Sequence, residues 1–403
     1  MKPKLVVVGN GMASIRVVEL LLEQAPELYD ISVFDGEIHG SYNRILLSPV
    51  LAGEKAVADI IDYPPAWYAE RGVTLYRGDP VVAINRFRRL VKSQSGVELK
   101  YDRLLIATGS LPLMLLVPGV DLKGVIGFRN LEDVETMLEA TRQLRYAVVI
   151  GGGLLGIEAA NGLSRRGMKV TLVHRSDALL NQQLDPAAAA LLRATLRERK
   201  LELRLNAQTR AIIGRDRVTG VSFDEGPDVS ADLVVMAVGI KPNIDLAKKA
   251  GIRCDRAIVV DDTLQTYDPR IYAVGECVQH RGNTYGLVAP LWEQARVCAT
   301  HLAQFGHSRY PGSVTSAKLK VSGIDLFSTG DFIGGAGTED LVYRDPRRGV
   351  YKRLVLKDQQ LVGAVLYGDV SDGAWYFDLI KSKTNITSLR EHLVFGKSFC
   401  EAA

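Results

Sequence analysis

The chain opens with an unbroken apolar block, Leu5–Val8, that runs into the glycine-spaced loop Gly9-Asn10-Gly11-Met12-Ala13-Ser14. From Met12 to about Leu22 apolar residues recur at helical spacing, and a second apolar block follows at Ile31–Phe34. The same order returns further on: Ala147–Ile150, the loop Gly151-Gly152-Gly153-Leu154-Leu155-Gly156, and an apolar strand at Val170–Val173. Each loop follows a predicted strand and opens a predicted helix. In that setting a G-x-G-x-x-G sequence turns tightly and aims backbone N–H groups at a pyrophosphate. Beyond about Pro311 the pattern changes to alternating strands, such as Lys318–Val321 and Leu354–Leu356 with Leu361–Leu366, before a helical end. The alanine-rich stretch Pro186–Arg197 reads as an ordinary helix.

The expected architecture is α/β, with two Rossmann-like dinucleotide-binding domains and a C-terminal α+β domain. Two phosphate loops imply two dinucleotides, and a chain that holds two is suited to moving electrons between them. In the first unit Gly9, Gly11, Met12, Ala13 and Ser14 are the loop positions expected to meet the cofactor, with serine where glycine or alanine is usual. Asp35 ends the second strand, where an acid can accept hydrogen bonds from a ribose, and Glu37 is the alternative. In the second unit Gly151, Gly153, Leu154, Leu155 and Gly156 take the loop role, and the position after the second strand is His174, followed by Arg175 and Ser176. An acid there would select against a 2′-phosphate; its absence beside an arginine permits NADPH. Arg175 also reads as a plain surface charge.

Three further stretches resemble flavoprotein signatures. A strand after Tyr101-Asp102 ends in Ala107-Thr108-Gly109, Val234–Gly239 repeats that pattern, and Ile271-Tyr272-Ala273-Val274-Gly275-Glu276 places an acid after a glycine. In this order the set resembles the pyridine nucleotide–disulfide oxidoreductase superfamily of two-dinucleotide flavoproteins. Val6–Ala13, Tyr42–Lys55, Tyr285–Trp292, Lys318–Asp325 and Glu391–Ala403 narrow the resemblance to the FAD- and NAD(P)H-binding N-terminal part of the assimilatory nitrite reductase large subunit. It covers essentially the whole chain.

The resemblance implies FAD in the first domain and NADH in the second, because nitrite reductase relatives commonly carry histidine at the position of His174; NADPH remains the alternative. Hydride would pass from nicotinamide to flavin, and electrons onward to an iron–sulfur carrier. It implies that Glu276 binds the ribityl chain, that Glu158 contacts the carboxamide, and that the segments carrying Arg44, Val82, Leu287 and Trp292 meet the flavin nucleotide. Related reductases often carry lysine after the serine of a Tyr-x-Arg-x-x-x-Ser region; here Pro49 follows Ser48, and Lys55 is the substitute positive charge. Glu158 is also readable as a solvent-facing helix acid, Lys55 as a surface lysine and Trp292 as core. The implied domains are residues 1–113 with 245–312 for FAD, 114–244 for NAD(P)H, and a C-terminal interface domain, 313–403, packing against the flavin domain. The family's polypeptide usually continues into iron–sulfur and sirohaem segments, so this chain is expected to be a stand-alone electron-transfer subunit or a fragment. The implied partner is an iron–sulfur/sirohaem nitrite reductase or nitrate reductase component, or a small iron–sulfur carrier. A rubredoxin or ferredoxin reductase and a nicotinamide-responsive binding module are the rival readings.

What the chain lacks narrows the chemistry. Residues 36–60 contain no cysteine, which excludes a dithiol relay or a sulfenic-acid cycle at the place where disulfide reductases and peroxide-reducing oxidases carry theirs. The four cysteines, Cys254, Cys277, Cys298 and Cys400, show no C-x-x-C spacing, and a reducing cytoplasm is expected. The six histidines lack metal-ligand spacing, so no bound metal is expected. A net charge of +4 over 403 residues leaves no nucleic-acid footprint, and no run reaches transmembrane length or reads as a signal peptide. The basic run Tyr343–Arg353 reads as a solvated hairpin face, or as a surface that steers an acidic carrier.

Overall fold

Leu5, Val6, Val7 and Val8 are all buried, so the first strand, β1 (Lys4–Val8), is covered on both faces, as a central parallel strand must be. Each such side chain contributes about 1.5–3 kcal/mol on leaving water. The structure, a computed structural model, describes residues 2–304, 306–314, 316–321 and 323–401. Ser322 of the Lys318–Asp325 match and Ala402 and Ala403 of the terminal match lie outside the described residues.

The chain divides into two compact units: Met1–Val50, Lys55–Leu111 and Ile240–Ser313; and Leu51–Glu54, Pro112–Gly239 and Val314–Ala403. In the first, β1 pairs in parallel with β2 (Asp30–Phe34), in the register Leu5↔Ile31 to Val8↔Phe34, and on its other side with Arg103–Ile106. The five-stranded sheet runs Ile271–Ala273, Arg103–Ile106, β1, β2, Thr74–Tyr76. Helix α1 (Met12–Gln24) buries Ile15, Val18 and Leu21 in one core with Leu291, Ala295 and Leu302 of the helix Val288–Leu302.

The second unit repeats the plan with β3 (Tyr146–Ile150), α2 (Leu154–Arg165) and β4 (Lys169–Val173), in a parallel sheet ordered Glu202–Arg204, β4, β3, Leu233–Met236, Val125–Ile126. An antiparallel sheet of five C-terminal strands, among them Val350–Lys357 and Gln360–Tyr367, groups with this unit and not with the first. The Tyr351 hydroxyl donates to Asp185 Oδ2 at 2.8 Å, and the hydroxyls of Thr195 and Tyr367 meet at 2.9 Å. These polar pairs tie the C-terminal sheet to the dinucleotide unit that carries Gly151.

The basic run does form a hairpin, but it is not one solvated face. Arg347 and Arg348 are exposed, whereas Lys352 is 4% exposed and pairs with Asp369 at 2.8 Å and Asp372 at 3.3 Å. Arg353 pairs with Asp340 and donates to the Phe332 and Ile333 carbonyls. Among the described residues no helix is long and apolar enough to cross a membrane, and no group of three or more His, Cys, Asp or Glu could hold a metal ion.

Candidate dinucleotide sites

Both glycine loops hand over to their helices in the same conformation. Gly11 and Gly153 are the N-cap residues, each at φ −81° and ψ −179°, and neither helix has a side-chain cap. Elsewhere in the chain the helices Leu131–Gln143 and Pro186–Glu198 are capped by the side chains of Asn130 and Asp185. The first N–H groups of a helix have no partner within it, and they sit at its positive end. A Cβ placed on Gly11 or Gly153 would meet nothing within 4 Å, so open space lies over both N-termini. Uncapped donors facing open space fit a pyrophosphate in each unit.

The first glycine of each loop is fixed by close approach. Gly9 (φ +101°) and Gly151 (φ +129°) donate their N–H to Phe34 O and Val173 O, the last residues of β2 and β4. A Cβ on Gly9 would fall 2.3 Å from Ala107 O, and one on Gly151 2.1 Å from Ala237 O. The structure thus brings Ala107, of the Ala-Thr-Gly signature, against the first loop, and the repeat ending in Gly239 against the second. The third positions differ. On Gly156 a Cβ would be 1.9 Å from Gly151 O, whereas Ser14 is accommodated in the first loop, buried, with Oγ donating to Gly11 O at 3.0 Å.

The strand-ending residues turn inward. Asp35 is 7% exposed, its Oδ2 accepting from Asn10 Nδ2 at 3.0 Å and its Oδ1 from the Glu37 N–H at 2.9 Å. The buried Tyr68 hydroxyl donates to Asn10 Oδ1 at 2.7 Å. Burial raises the Asp35 pKa to about 6, against the lowering effect of the bonds from Glu37 and Asn10. Both oxygens of Asp35 are therefore engaged inside the protein. Glu37 is less buried, and it meets the Tyr42 hydroxyl at 2.7 Å and the Arg44 guanidinium. In the second unit His174 Nδ1 accepts from the Gly152 N–H at 3.1 Å, and burial, then the Arg175 charge, lower the pKa of its imidazole. Arg175 is exposed and Glu158, on α2, is half-buried.

Around the first loop the other signatures converge. Gly275 (φ +93°) lies against Ala13, and its N–H donates to the fully buried Gln294 Oε1 at 2.8 Å. Ser110 Oγ donates to Glu276 Oε2 at 2.7 Å, and Thr108 Oγ1 to Asn243 O at 2.6 Å. Gly109 O accepts from the Asn243 N–H at 2.9 Å. Leu287 is the N-cap of the helix Val288–Leu302, which also lacks a side-chain cap, and Trp292 on it is 37% exposed, too much for a core residue. Val82 is half-exposed on a separate antiparallel sheet with Leu90–Ser93 and Glu98–Lys100, and Lys55 is exposed. Cys277 is fully buried, with burial pushing its thiol up to about 11, so it packs as a neutral group. Asn10, Tyr68, Ser110, Asn243 and Gln294 were not singled out from the sequence; Asn10 lies inside the first glycine loop and Ser110 next to Gly109, whereas the other three stand outside the motifs. An open cleft of about 600 Å³ lined by Val259–Thr263, Gln279, Arg281, Gly282 and Arg309 shares no residue with either loop.

Comparison with known proteins agrees with this geometry. Residues 3–301 match the pyridine nucleotide-disulphide oxidoreductase family model, and residues 316–384 the rubredoxin NAD+ reductase C-terminal domain. The chain is 45% identical over 386 residues to a nitrite reductase (NAD(P)H) of Bacillus subtilis (strain 168), covering 96% of this chain and 48% of the relative. It is 42% identical over 393 residues to the assimilatory nitrate reductase electron transfer subunit of the same organism, covering 98% of this chain and 51% of the relative. The chain thus spans about half the length of the curated relatives it matches. A chain of the crystal structure of the covalent putidaredoxin reductase-putidaredoxin complex is similar to it with a TM-score of 0.85 and 27% identity, over 95% of this chain and 94% of that one. This chain belongs to the pyridine nucleotide-disulphide oxidoreductase family, whose members use FAD and NAD(P)H.

Proposed function

We propose that the chain is the electron-transfer flavoprotein part of a nitrite or nitrate reductase, taking hydride from NAD(P)H onto FAD and passing electrons to an iron–sulfur centre. The observation that carries this reading is the pair of uncapped helix N-termini, α1 and α2, each opened by a glycine loop with open space above it. The names of the relatives at 45% and 42% identity supply the acceptor class. In this reading the FAD domain is residues 1–113 with 245–312, the NAD(P)H domain 114–244 and the C-terminal domain 313–403, and the protein works in the cytoplasm.

The N–H groups of Met12, Ala13 and Ser14 hold the FAD pyrophosphate. The ribose falls to Glu37, held by Tyr42 and Arg44, because its carboxylate is partly exposed whereas Asp35 is buried. Ser110 holds the Glu276 carboxylate, which would accept from the ribityl chain. The N–H groups of Leu154, Leu155 and Gly156 hold the coenzyme pyrophosphate, and Glu158 orients the carboxamide. When bound, FAD supplies an acceptor that takes electrons as a pair and releases them singly. The protein positions the two nucleotides, and its four cysteines are free thiols, already reduced, so none of them takes electrons from the flavin.

A rubredoxin reductase is the second reading, favoured by the match of residues 316–384 to that family's C-terminal domain. Turnover with NADH separates the two when the acceptor is either a purified iron–sulfur/sirohaem reductase component or rubredoxin. Faster reduction of the first supports nitrogen assimilation, and faster reduction of rubredoxin replaces it with the second reading.

A further inference from the structure

We propose that His174 is a positioning residue that braces the second glycine loop, and that it does not read the coenzyme's ribose. The inference rests on the assignment of the NAD(P)H site to this loop. His174 follows β4 immediately, at the position where a Rossmann unit offers a side chain to the adenosine ribose. A side chain in that role needs a polar atom facing out of the protein. His174 has none to offer: Nδ1 accepts from the Gly152 N–H at 3.1 Å, and Nε2 is buried.

The imidazole also sets what can stand at position 152. A Cβ there would lie 2.6 Å from Cγ and 2.7 Å from Cδ2 of His174, so the ring rests directly on the glycine. The peptide is held from the other side as well, because the Leu180 N–H donates to Gly152 O at 2.9 Å. The main chain of His174 is itself fixed, its N–H donating to Arg204 O at 2.9 Å and its carbonyl accepting from the Ala207 N–H at 3.0 Å. A rigid strand end therefore grips the middle of the loop, immediately ahead of the Gly153 N-cap. In the first unit the same two positions, Asn10 and Asp35, are joined by a side-chain hydrogen bond.

The pyrophosphate that this loop holds is common to NAD+ and NADP+, whereas a ribose reader touches the place where the two differ. Calorimetric titration of the full chain with NAD+ and with NADP+ is the test, on the wild type, His174→Phe and His174→Asn. Hydrogen exchange of the 151–156 segment is followed in the coenzyme-free proteins. Phenylalanine keeps the ring and removes the acceptor; asparagine restores an acceptor. Expected are equal losses of about 3- to 10-fold for both coenzymes in His174→Phe, as for one lost backbone bond, with faster exchange of the loop and recovery of affinity and protection in His174→Asn. A changed ratio between NAD+ and NADP+, or loop exchange equal to wild type in His174→Phe, overturns the brace. A wild type that binds neither nucleotide defeats the coenzyme assignment instead, and the exchange measurement still decides the role of His174.

Discussion

The two glycine loops present the same face to a phosphate and differ in the side chains that pack behind it. Both N-caps have the same dihedral angles, both lack a side-chain cap, and both first glycines press on the carbonyl of an alanine in a neighbouring strand end. Behind the loops, the first unit uses a buried Tyr68–Asn10–Asp35 chain and admits Ser14. The second uses His174 on Gly152 and has room only for glycine at 156. Ligand geometry constrains the front of the loop, while the packing behind it is open to different solutions. A motif position therefore identifies a dinucleotide loop without saying which way the neighbouring side chains point.

The sharpest break in the comparison is an exchange at the third position. Gly156→Ser puts a Cβ where only 1.9 Å separates it from Gly151 O. A loss of about 3 kcal/mol or more is expected in denaturant unfolding, against about 1 kcal/mol for Ser14→Gly, which removes one side-chain bond. Equal losses would mean that the two loops tolerate the position alike.

Asp35 gives the next largest effect, through pH. Its folded pKa is raised from 3.8 to about 6, so the folded state binds the proton more tightly than the unfolded one. The stabilisation is complete below about 3.8 and is lost as pH rises to about 6. In the FAD-free protein the group should remove about 2–3 kcal/mol over that window. Asp35→Asn should flatten this slope, whereas a slope unchanged by the substitution would place its origin elsewhere.

A smaller change is expected from Tyr68→Phe, which leaves Asn10 Oδ1 without its donor. The loss should be about 1–2 kcal/mol of stability, with weaker FAD retention measured by flavin release, and with NAD+ affinity unchanged. The smallest effect belongs to the exposed Arg175. Arg175→Ala should weaken NADP+ by about 3-fold and leave NAD+ unaltered, as suits a screened surface charge on a phosphate. Equal affinities for the variant and the wild type would make it a plain surface charge.

Much of the fold was legible because short apolar blocks flanked by glycine admit few arrangements. The first strand, helix and second strand were expected at Leu5–Val8, Met12 to about Leu22 and Ile31–Phe34, and they stand at Lys4–Val8, Met12–Gln24 and Asp30–Phe34. The direction of Asp35 was not legible, because it depends on Asn10 and, through it, on Tyr68, 58 residues further along. The grouping of the C-terminal sheet rests on pairs such as Asp185–Tyr351, 166 residues apart, that leave no local pattern. Lys352 looked like part of a solvated charge run because its partners, Asp369 and Asp372, lie beyond the hairpin.

The central claim is that one chain holds both nucleotides and passes hydride between them. Anaerobic stopped-flow mixing of the FAD-loaded protein with NADH, and separately with NADPH, tests it most directly through the visible flavin band. Rapid bleaching by at least one coenzyme is expected. Slow or absent bleaching by both would contradict the electron-transfer reading and leave a nicotinamide-responsive binding protein in its place.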